Sequence, residues 1–345
     1  MKSRNGSTFI IAELSANHGS SIEIAEKTVR AIAAAGADAV KVQTYRPESL
    51  CLDVDNEYFG PKREGAWKGI RPWDLYREAA MPYEWQPRLK NIAEELGLIF
   101  FSSPFDLQGI DFLESLHVPC YKIASFEITD IPLIEKAASM GKPMIISTGV
   151  ADEADIRAAL AACHTAGNRD VTLLKCTSEY PARIDQANLN MIADMRERFG
   201  VSIGISDHTM GSLVPALAVA LGATMVEKHF ILDRSQGGPD AAFSMEPSEF
   251  AQMVEQVRAT EKALGVVEYQ ISDKDRLRRR SLFWVKDILP GDVITPEHLR
   301  SLRPGHGLAP RHLHRLIGKR AARAASLGEP VQWEAVEGDP EDLSS

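Results

Sequence analysis

A parallel (β/α)8 barrel, of the TIM type, followed by a smaller appended domain is the fold class this sequence predicts. Three observations predict it. Short apolar runs alternate with helix-patterned segments until eight such pairs are complete. Almost every run ends in polar side chains able to do chemistry, and barrel active sites sit at the C-terminal ends of the strands. No GxGxxG follows the first run, as a doubly wound dinucleotide-binding sheet would require.

Taken in order, strands are expected at residues 9–13, 39–43, 98–102, 119–123, 143–148, 171–176, 201–206 and 224–228. Helices are expected at 22–35, 73–96, 108–116, 131–140, 152–166, 189–199, 212–221 and 247–264, from their apolar spacing. Between the second strand and its helix, residues 44–70 form an insertion rich in Gly, Pro and charge. A loop of that length inside a compact domain is usually functional or flexible. Residues 1–265 thus make the barrel. The stretch 266–280 has few apolar residues and ends in DKDRLRRR, so it reads as a linker with a solvated or interface-facing arginine strip. Residues 281–337 form the small domain, with strand-like runs at 282–286 and 329–333 and turns at Pro290–Gly291 and Pro304–Gly305. So small a unit is marginal alone and is expected to dock on a barrel of the same or another subunit. Residues 338–345 are a polar, acidic tail expected to be disordered.

Bulk properties exclude several classes. A net charge of −9 argues against a nucleic-acid footprint, so an anionic substrate must meet locally placed Lys and Arg. Cys51, Cys120, Cys163 and Cys176 are scattered without a CxxC pair, which fits a reduced compartment and disfavours a zinc–thiolate site. The first residues are too polar for a signal peptide or anchor, and no run approaches the roughly 20 apolar residues that span a bilayer. The expectation is a cytoplasmic protein with neither membrane nor nucleic-acid partner.

Residues 204–240, GISDHTMGSLVPALAVALGATMVEKHFILDRSQGGPD, carry the densest chemistry. Side chains alternate along a strand, so Ser206 and His208 share a face while Asp207 turns away. Glu227 and His229 do the same on the next strand, with Lys228 turned away. Two imidazoles on neighbouring strands beside a carboxylate suit a divalent metal. The other strand ends add Glu13, Lys41, Gln43, Lys122, Ser147, Ser178 and Tyr180. Lysines meet phosphate as point charges, and hydroxyls add directional bonds. The residues alone reach as far as a metal-assisted reaction of a phosphorylated small molecule.

Nine segments in this order, IAELSANHGS, GADAVKVQTY, SSPFD, YKIASFE, ISTGV, CTSEYP, GISDHTMG, VEKHF and GGPDAAFSMEP, strongly resemble the sialic acid synthase family. VKDILPGDVITPEHLRSLRPGHGL resembles that family's C-terminal antifreeze-like (SAF, β-clip) domain, so the resemblance runs from about Phe9 to about Val336. AELSANH, QTYRPESL, WDLYREA with PYEW, and FSMEP are most similar to the pseudaminate-forming branch rather than to the N-acetylneuraminate or legionaminate branches. The resemblance implies condensation of phosphoenolpyruvate with 2,4-diacetamido-2,4,6-trideoxy-L-altrose and water, giving a nonulosonic acid and phosphate. It implies His208 and His229 as ligands of Mn2+ or Mg2+, with Co2+ also compatible. Glu13 would handle the proton of water, Lys122 and Glu227 would complete the catalytic set, and Glu227 would stand where metal and substrate meet. Lys122, Ser147, Ser178, Tyr180 and Ser206 match positions that hold phosphoenolpyruvate, although Ser178 stands where many members carry Asn. Lys41, Gln43, Glu127 and Asp240 match positions that face the sugar. Arg303 resembles an arginine that reaches the partner subunit's site, which implies a domain-swapped homodimer. An ice-binding role would call for a flat Thr-rich face, and the small domain has only Thr295.

Overall fold

The computed structural model describes residues 7–65 and 67–338. The chain divides into two compact units at Gly265 and Val266.

The first unit is a closed barrel of strands β1 to β8 in sequence order, all parallel. They are β1 (Phe9–Glu13), β2 (Ala39–Thr44), β3 (Ile99–Pro104), β4 (Tyr121–Ile123), β5 (Met144–Ser147), β6 (Val171–Cys176), β7 (Ser202–Ser206) and β8 (Met225–His229). Strand alternation explains how one short sequence period builds both a core and a site. Phe9, Ile11, Ala39, Phe101, Cys120, Ile145, Leu174 and Met225 form a buried apolar plug. Two residues further along seven of these strands stand Glu13, Lys41, Ser103, Lys122, Ser147, Cys176 and Glu227, all buried. The intervening residues, such as Ile10, Ala12, Val40 and Val226, face outwards into the larger core against the helices. In β7 the plug position is Gly204. An added Cβ there would come to 2.6 Å from Leu174 Cδ2 and 2.7 Å from Met225 Cβ, so only glycine leaves room for these two side chains.

The covering helices start on local caps. Ser21, Asp106, Asp130 and Asp152 each accept from a backbone N–H of the first turn, which removes one unpaired donor. Gly200, at φ 67°, ends the helix Met191–Phe199 in the left-handed region that glycine tolerates. The expected single helix over 73–96 is instead Pro72–Ala79, a 3-10 turn Tyr83–Trp85 and the helix Gln86–Glu95. Pro82 explains the break, since it lacks an N–H and disfavours helical backbone at the residue before it. The insertion after β2 also holds a one-turn helix, Pro47–Leu50. Among the described residues no helix is long and apolar enough to cross a membrane.

The second unit pairs β9 (Ser281–Trp284) with β10 (Leu299–Leu302), antiparallel, around a core that includes Leu282, Trp284, Ile294, Leu299, Leu316 and Val331. The strand expected at 329–333 reduces to one bridge, Phe283 with Pro330, and turns into a 3-10 segment at Trp333–Ala335. Pro330 has no N–H to extend a ladder. Strand β10 was missed, for lack of an apolar run. The stretch read as a linker holds a short helix, Asp273–Leu277, whose Leu277 carbonyl accepts from Gly305 N at 2.9 Å. Most of the acidic tail, from residue 339 on, lies outside the described residues.

Candidate active site

The polar layer at the C-terminal ends of the strands surrounds a cavity of about 320 Å3. Its floor is a charge cluster. Lys41 Nζ lies 2.9 Å from Glu13 Oε2 and 3.2 Å from Glu227 Oε1, and Lys122 Nζ lies 3.5 Å from the same Glu227 oxygen. Lys122 also donates to Ser147 Oγ at 2.7 Å, and Ser206 donates to Glu227 Oε1 at 3.0 Å. Gln43 Nε2 donates to Glu13 Oε1 and Ser15 Oγ, both at 3.0 Å, and Ser15 donates to Asp240.

Burial and charge compete at each of these groups, and the pairing decides. Burial pushes the Glu13 carboxyl up, but Lys41, His229 and Gln43 together hold it far below the usual carboxylate range. Burial likewise opposes the Glu227 charge, and Lys122 and Lys41 outweigh it, so this carboxyl is also held low. Lys41, between two carboxylates, is raised against its burial, whereas burial wins at Lys122, which is lowered. Glu127 has no such close partner among the described residues. Burial raises it to about 7, and its Oε2 is buried without a hydrogen-bond partner among the described residues.

The two imidazoles stand on one wall, with ring centroids 5.2 Å apart. Asp207 and Lys228, the residues alternating with them, face the other way and pair at 2.8 Å. His208 Nδ1 donates to the Thr177 carbonyl at 3.0 Å, which orients the ring and leaves Nε2 without a proton in the neutral form. His229 Nε2 is 3.3 Å from Glu13 Oε2, while its Nδ1 is buried and unpartnered among the described residues, 3.9 Å from Asp240 Oδ2. A buried polar atom left unpaired costs about 1–3 kcal/mol. His229 Nδ1, Glu227 Oε2 and Glu127 Oε2 are all in that state, and all three residues line this one cavity. That pattern belongs to a place built for a ligand. Two imidazoles with free nitrogens fit a divalent cation. Among the described residues no group of three or more His, Cys, Asp or Glu gathers as a metal cage, so the pair would leave most of a cation's coordination open.

Twelve of the expected site residues line the cavity together: Glu13, Lys41, Gln43, Lys122, Glu127, Ser147, Tyr180, Ser206, His208, Glu227, His229 and Asp240. Ser178 does not. Its hydroxyl sits 3.7 Å from Cys176 Sγ and fills the space beside Gly149, where a Cβ would approach it to 2.1 Å. Arg303 belongs to the second unit, next to Pro304. Sequence reasoning passed over Cys176, which lines the cavity and whose thiol, buried but beside His208, is drawn down to about 7. Its strand register opposite Ser206 was the available signal. It also passed over Lys62 and the apolar group Tyr45, Leu50, Leu75 and Tyr76, which close the outer part of the cavity.

Comparison with known proteins agrees in both halves of the chain. Residues 28–269 match the NeuB family and residues 279–337 match the SAF domain. The chain is 43% identical to the pseudaminic acid synthase of Helicobacter pylori, over 95% of this chain and 97% of that protein. It is 42% identical to the enzyme of the same name from Campylobacter jejuni, over 94% and 95%. With the N,N'-diacetyllegionaminic acid synthase of Legionella pneumophila it shares 37% identity over 95% and 94%. Among solved structures, the N-acetylneuraminic acid synthetase of Leptospira borgpetersenii superposes with a TM-score of 0.69 at 32% identity, over 78% of this chain and 89% of that one. Barrel, polar layer and small domain thus fall together under one description, and the chain belongs to the NeuB family, with a SAF domain at its C-terminal end.

Proposed function

We propose that the chain is a nonulosonic acid synthase of the pseudaminate-forming type. It condenses phosphoenolpyruvate with 2,4-diacetamido-2,4,6-trideoxy-L-altrose and water, releasing phosphate. One observation carries the chemistry: two ionised carboxylates, two buried ammoniums and two imidazoles with free nitrogens meet at the mouth of one barrel. Identities of 43% and 42% to pseudaminic acid synthases, against 37% to a legionaminic acid synthase, support the choice of sugar.

In this reading C3 of phosphoenolpyruvate bonds to the aldehyde carbon of the open-chain sugar, and water adds at C2. The C2–O bond then breaks, and phosphate leaves with that electron pair. A divalent cation on His208 and His229, Mn2+ or Mg2+ with Co2+ also compatible, would supply Lewis-acid polarisation of the aldehyde oxygen. Glu13, held ionised, takes the proton from water. Lys122, with Ser147 and Ser206, holds the phosphate and carboxylate oxygens. Tyr180 packs its ring 4.5 Å from that of His208 and walls the same pocket. Lys41, Gln43 and Asp240 face the sugar together with Glu127, whose near-neutral pKa lets it donate to a hydroxyl or amide carbonyl. Glu227 keeps the two lysines apart and in place. Ser178 acts one step removed, through Cys176 and the Gly149 turn, and Arg303 serves the site of a partner subunit in a domain-swapped homodimer.

The test is mass spectrometry of the product from phosphoenolpyruvate and each candidate sugar, with phosphate release measured with and without EDTA. Product from the diacetamido-trideoxy-altrose, lost on chelation, is the expected result. Product from N-acetylmannosamine alone would move the chain to the N-acetylneuraminate branch. In proven mixed dimers, inactive His229→Ala and Arg303→Ala subunits should recover part of the activity if the arginine acts in trans.

A further inference from the structure

Among the described residues three lysines line the cavity, and they are not equivalent. Lys41 and Lys122 are committed to Glu13 and Glu227. Lys62 has no carboxylate within ion-pair distance among the described residues. Its ammonium lies 4.8 Å from the centre of the Trp67 ring and 6.0 Å from that of Tyr76. Cation–π contacts of this kind are weak and leave the charge's other side free for an anion.

The backbone around Lys62 is tied down. Lys62 N donates to Ile70 O at 3.0 Å and Gly69 N donates back to Lys62 O at 2.8 Å, closing the loop at its base. Trp67 Nε1 donates to Pro239 O at 3.0 Å, which hooks the insertion onto the loop that follows β8, one residue before Asp240. The Trp67 ring packs 5.7 Å from Tyr180, and Tyr180 packs 4.5 Å from His208. An aromatic wall therefore runs from the loop bearing Lys62 down to the imidazoles.

Charge balance gives this placement its meaning. The floor pairs two carboxylates with two ammoniums, so Lys122 meets the substrate's oxygens without bringing a net positive charge to them. Phosphoenolpyruvate brings a carboxylate and a phosphate monoester of about −1.5 to −2 charge. We propose that Lys62 is the residue through which the insertion after β2 grips the anionic end of phosphoenolpyruvate, a proposal that rests on the synthase reading above. Loss of one charge-assisted contact in a partly enclosed site corresponds to about tenfold or more in affinity.

Calorimetric titration of phosphoenolpyruvate into wild type, Lys62→Met and Lys62→Arg tests this, with steady-state kinetics alongside. Met keeps the apolar stem over Trp67, and Arg keeps the charge. The expected result is a Kd and KM for phosphoenolpyruvate raised about tenfold or more in Lys62→Met, with kcat changed far less and recovery in Lys62→Arg. Inorganic phosphate and pyruvate, titrated separately, tell which anionic group is held, since the variant weakens only the one that Lys62 touches. Unchanged phosphoenolpyruvate binding in Lys62→Met would overturn the proposal and leave the synthase reading standing. So would a loss that Lys62→Arg fails to recover, because shape rather than charge would then matter. Absence of phosphoenolpyruvate binding in wild type would overturn both.

Discussion

The ion pair behind the imidazoles is where a single substitution should reach furthest. Lys228 is 1% exposed and Asp207 5%, and their Nζ–Oδ2 distance is 2.8 Å. Lys228 also donates to the carbonyls of Thr209 and Gly211, so it fastens β8 to the loop after β7. Lys228→Met removes the ammonium and leaves the Asp207 carboxylate buried, with only the Thr209 N–H and hydroxyl among the described residues to satisfy it. Removing one partner of a buried pair costs about 3–5 kcal/mol, mostly for the stranded charge. Asp207→Asn strands the ammonium instead, but leaves it two carbonyls and should cost less. Lys228→Met/Asp207→Asn should then be less destabilised than the two single effects summed, by about 1–3 kcal/mol, as neighbours in one network are. The assay is urea unfolding of all four proteins, followed by far-ultraviolet circular dichroism. In the proposed metal site Asp207 precedes His208 and Lys228 precedes His229, so Mn2+ affinity, read by electron paramagnetic resonance, should fall in the singles as well. Additive effects with each single substitution below about 1 kcal/mol would refute the reasoning, since the pair would then be no more than a surface bridge in energy.

Three further outcomes follow from the geometry. His208→Ala and His229→Ala should each abolish Mn2+ binding and nearly all phosphate release, while their melting temperatures in EDTA stay close to that of wild type in EDTA; retained turnover in chelated buffer would remove the imidazoles from the reaction. Gly204→Ala should lower the barrel's stability by about 1–3 kcal/mol, because its Cβ meets Leu174 and Met225 inside normal contact distance; a thermal melt within a degree of wild type would contradict the packing argument. Glu127 is raised from 4.5 to about 7, so ionising it opposes folding: the cost is absent below pH 4.5, grows as pH rises and is complete above about 7. Glu127→Gln should therefore gain stability relative to wild type across that window, by up to about 3 kcal/mol. A difference that is flat with pH would refute the assignment.

What could be read from the chain and what could not divides along the range of the interactions. Strand alternation is local, so the apolar plug and the polar layer above it were legible from Phe9, Ile11 and Glu13 or Met225, Glu227 and His229 alone. Pairing across strands then needs only the barrel's closure. The break at Pro82 was also local and was passed over because helix-forming residues continue on both sides of it. The segment 329–333 reads as a strand in composition, yet Pro330 limits it to one bridge. The roof was not legible. Trp67 finds its partner at Pro239, across 172 residues, and nothing periodic in the insertion announces where Lys62 will stand. Cys176 was weighed only for the spacing of disulfides and zinc–thiolate sites, neither of which it fits, and that hid its place opposite Ser206.

The composition of the polar layer constrains the kind of chemistry it can do. A cavity meant for an anion would be expected to carry excess positive charge, yet this floor sets Glu13 and Glu227 against Lys41 and Lys122. In the proposed reaction the balance has a use: the carboxylates stay ionised in a buried place, where Glu13 would accept a proton without first being desolvated by the substrate. Lys122 can still contact the substrate's oxygens, but the net positive charge must then come from beyond these four groups. Imidazole ligands would be suited to this, because a cation held by His208 and His229 would keep its full charge, whereas carboxylate ligands would cancel part of it. Lys62 would add the second share from above. Floor and walls would thus hold the base, and the cation and the roof would hold the anion. The division predicts that neutralising Lys62 weakens substrate capture without touching proton transfer, whereas Glu13→Gln lowers kcat and leaves the affinity for phosphoenolpyruvate nearly unchanged.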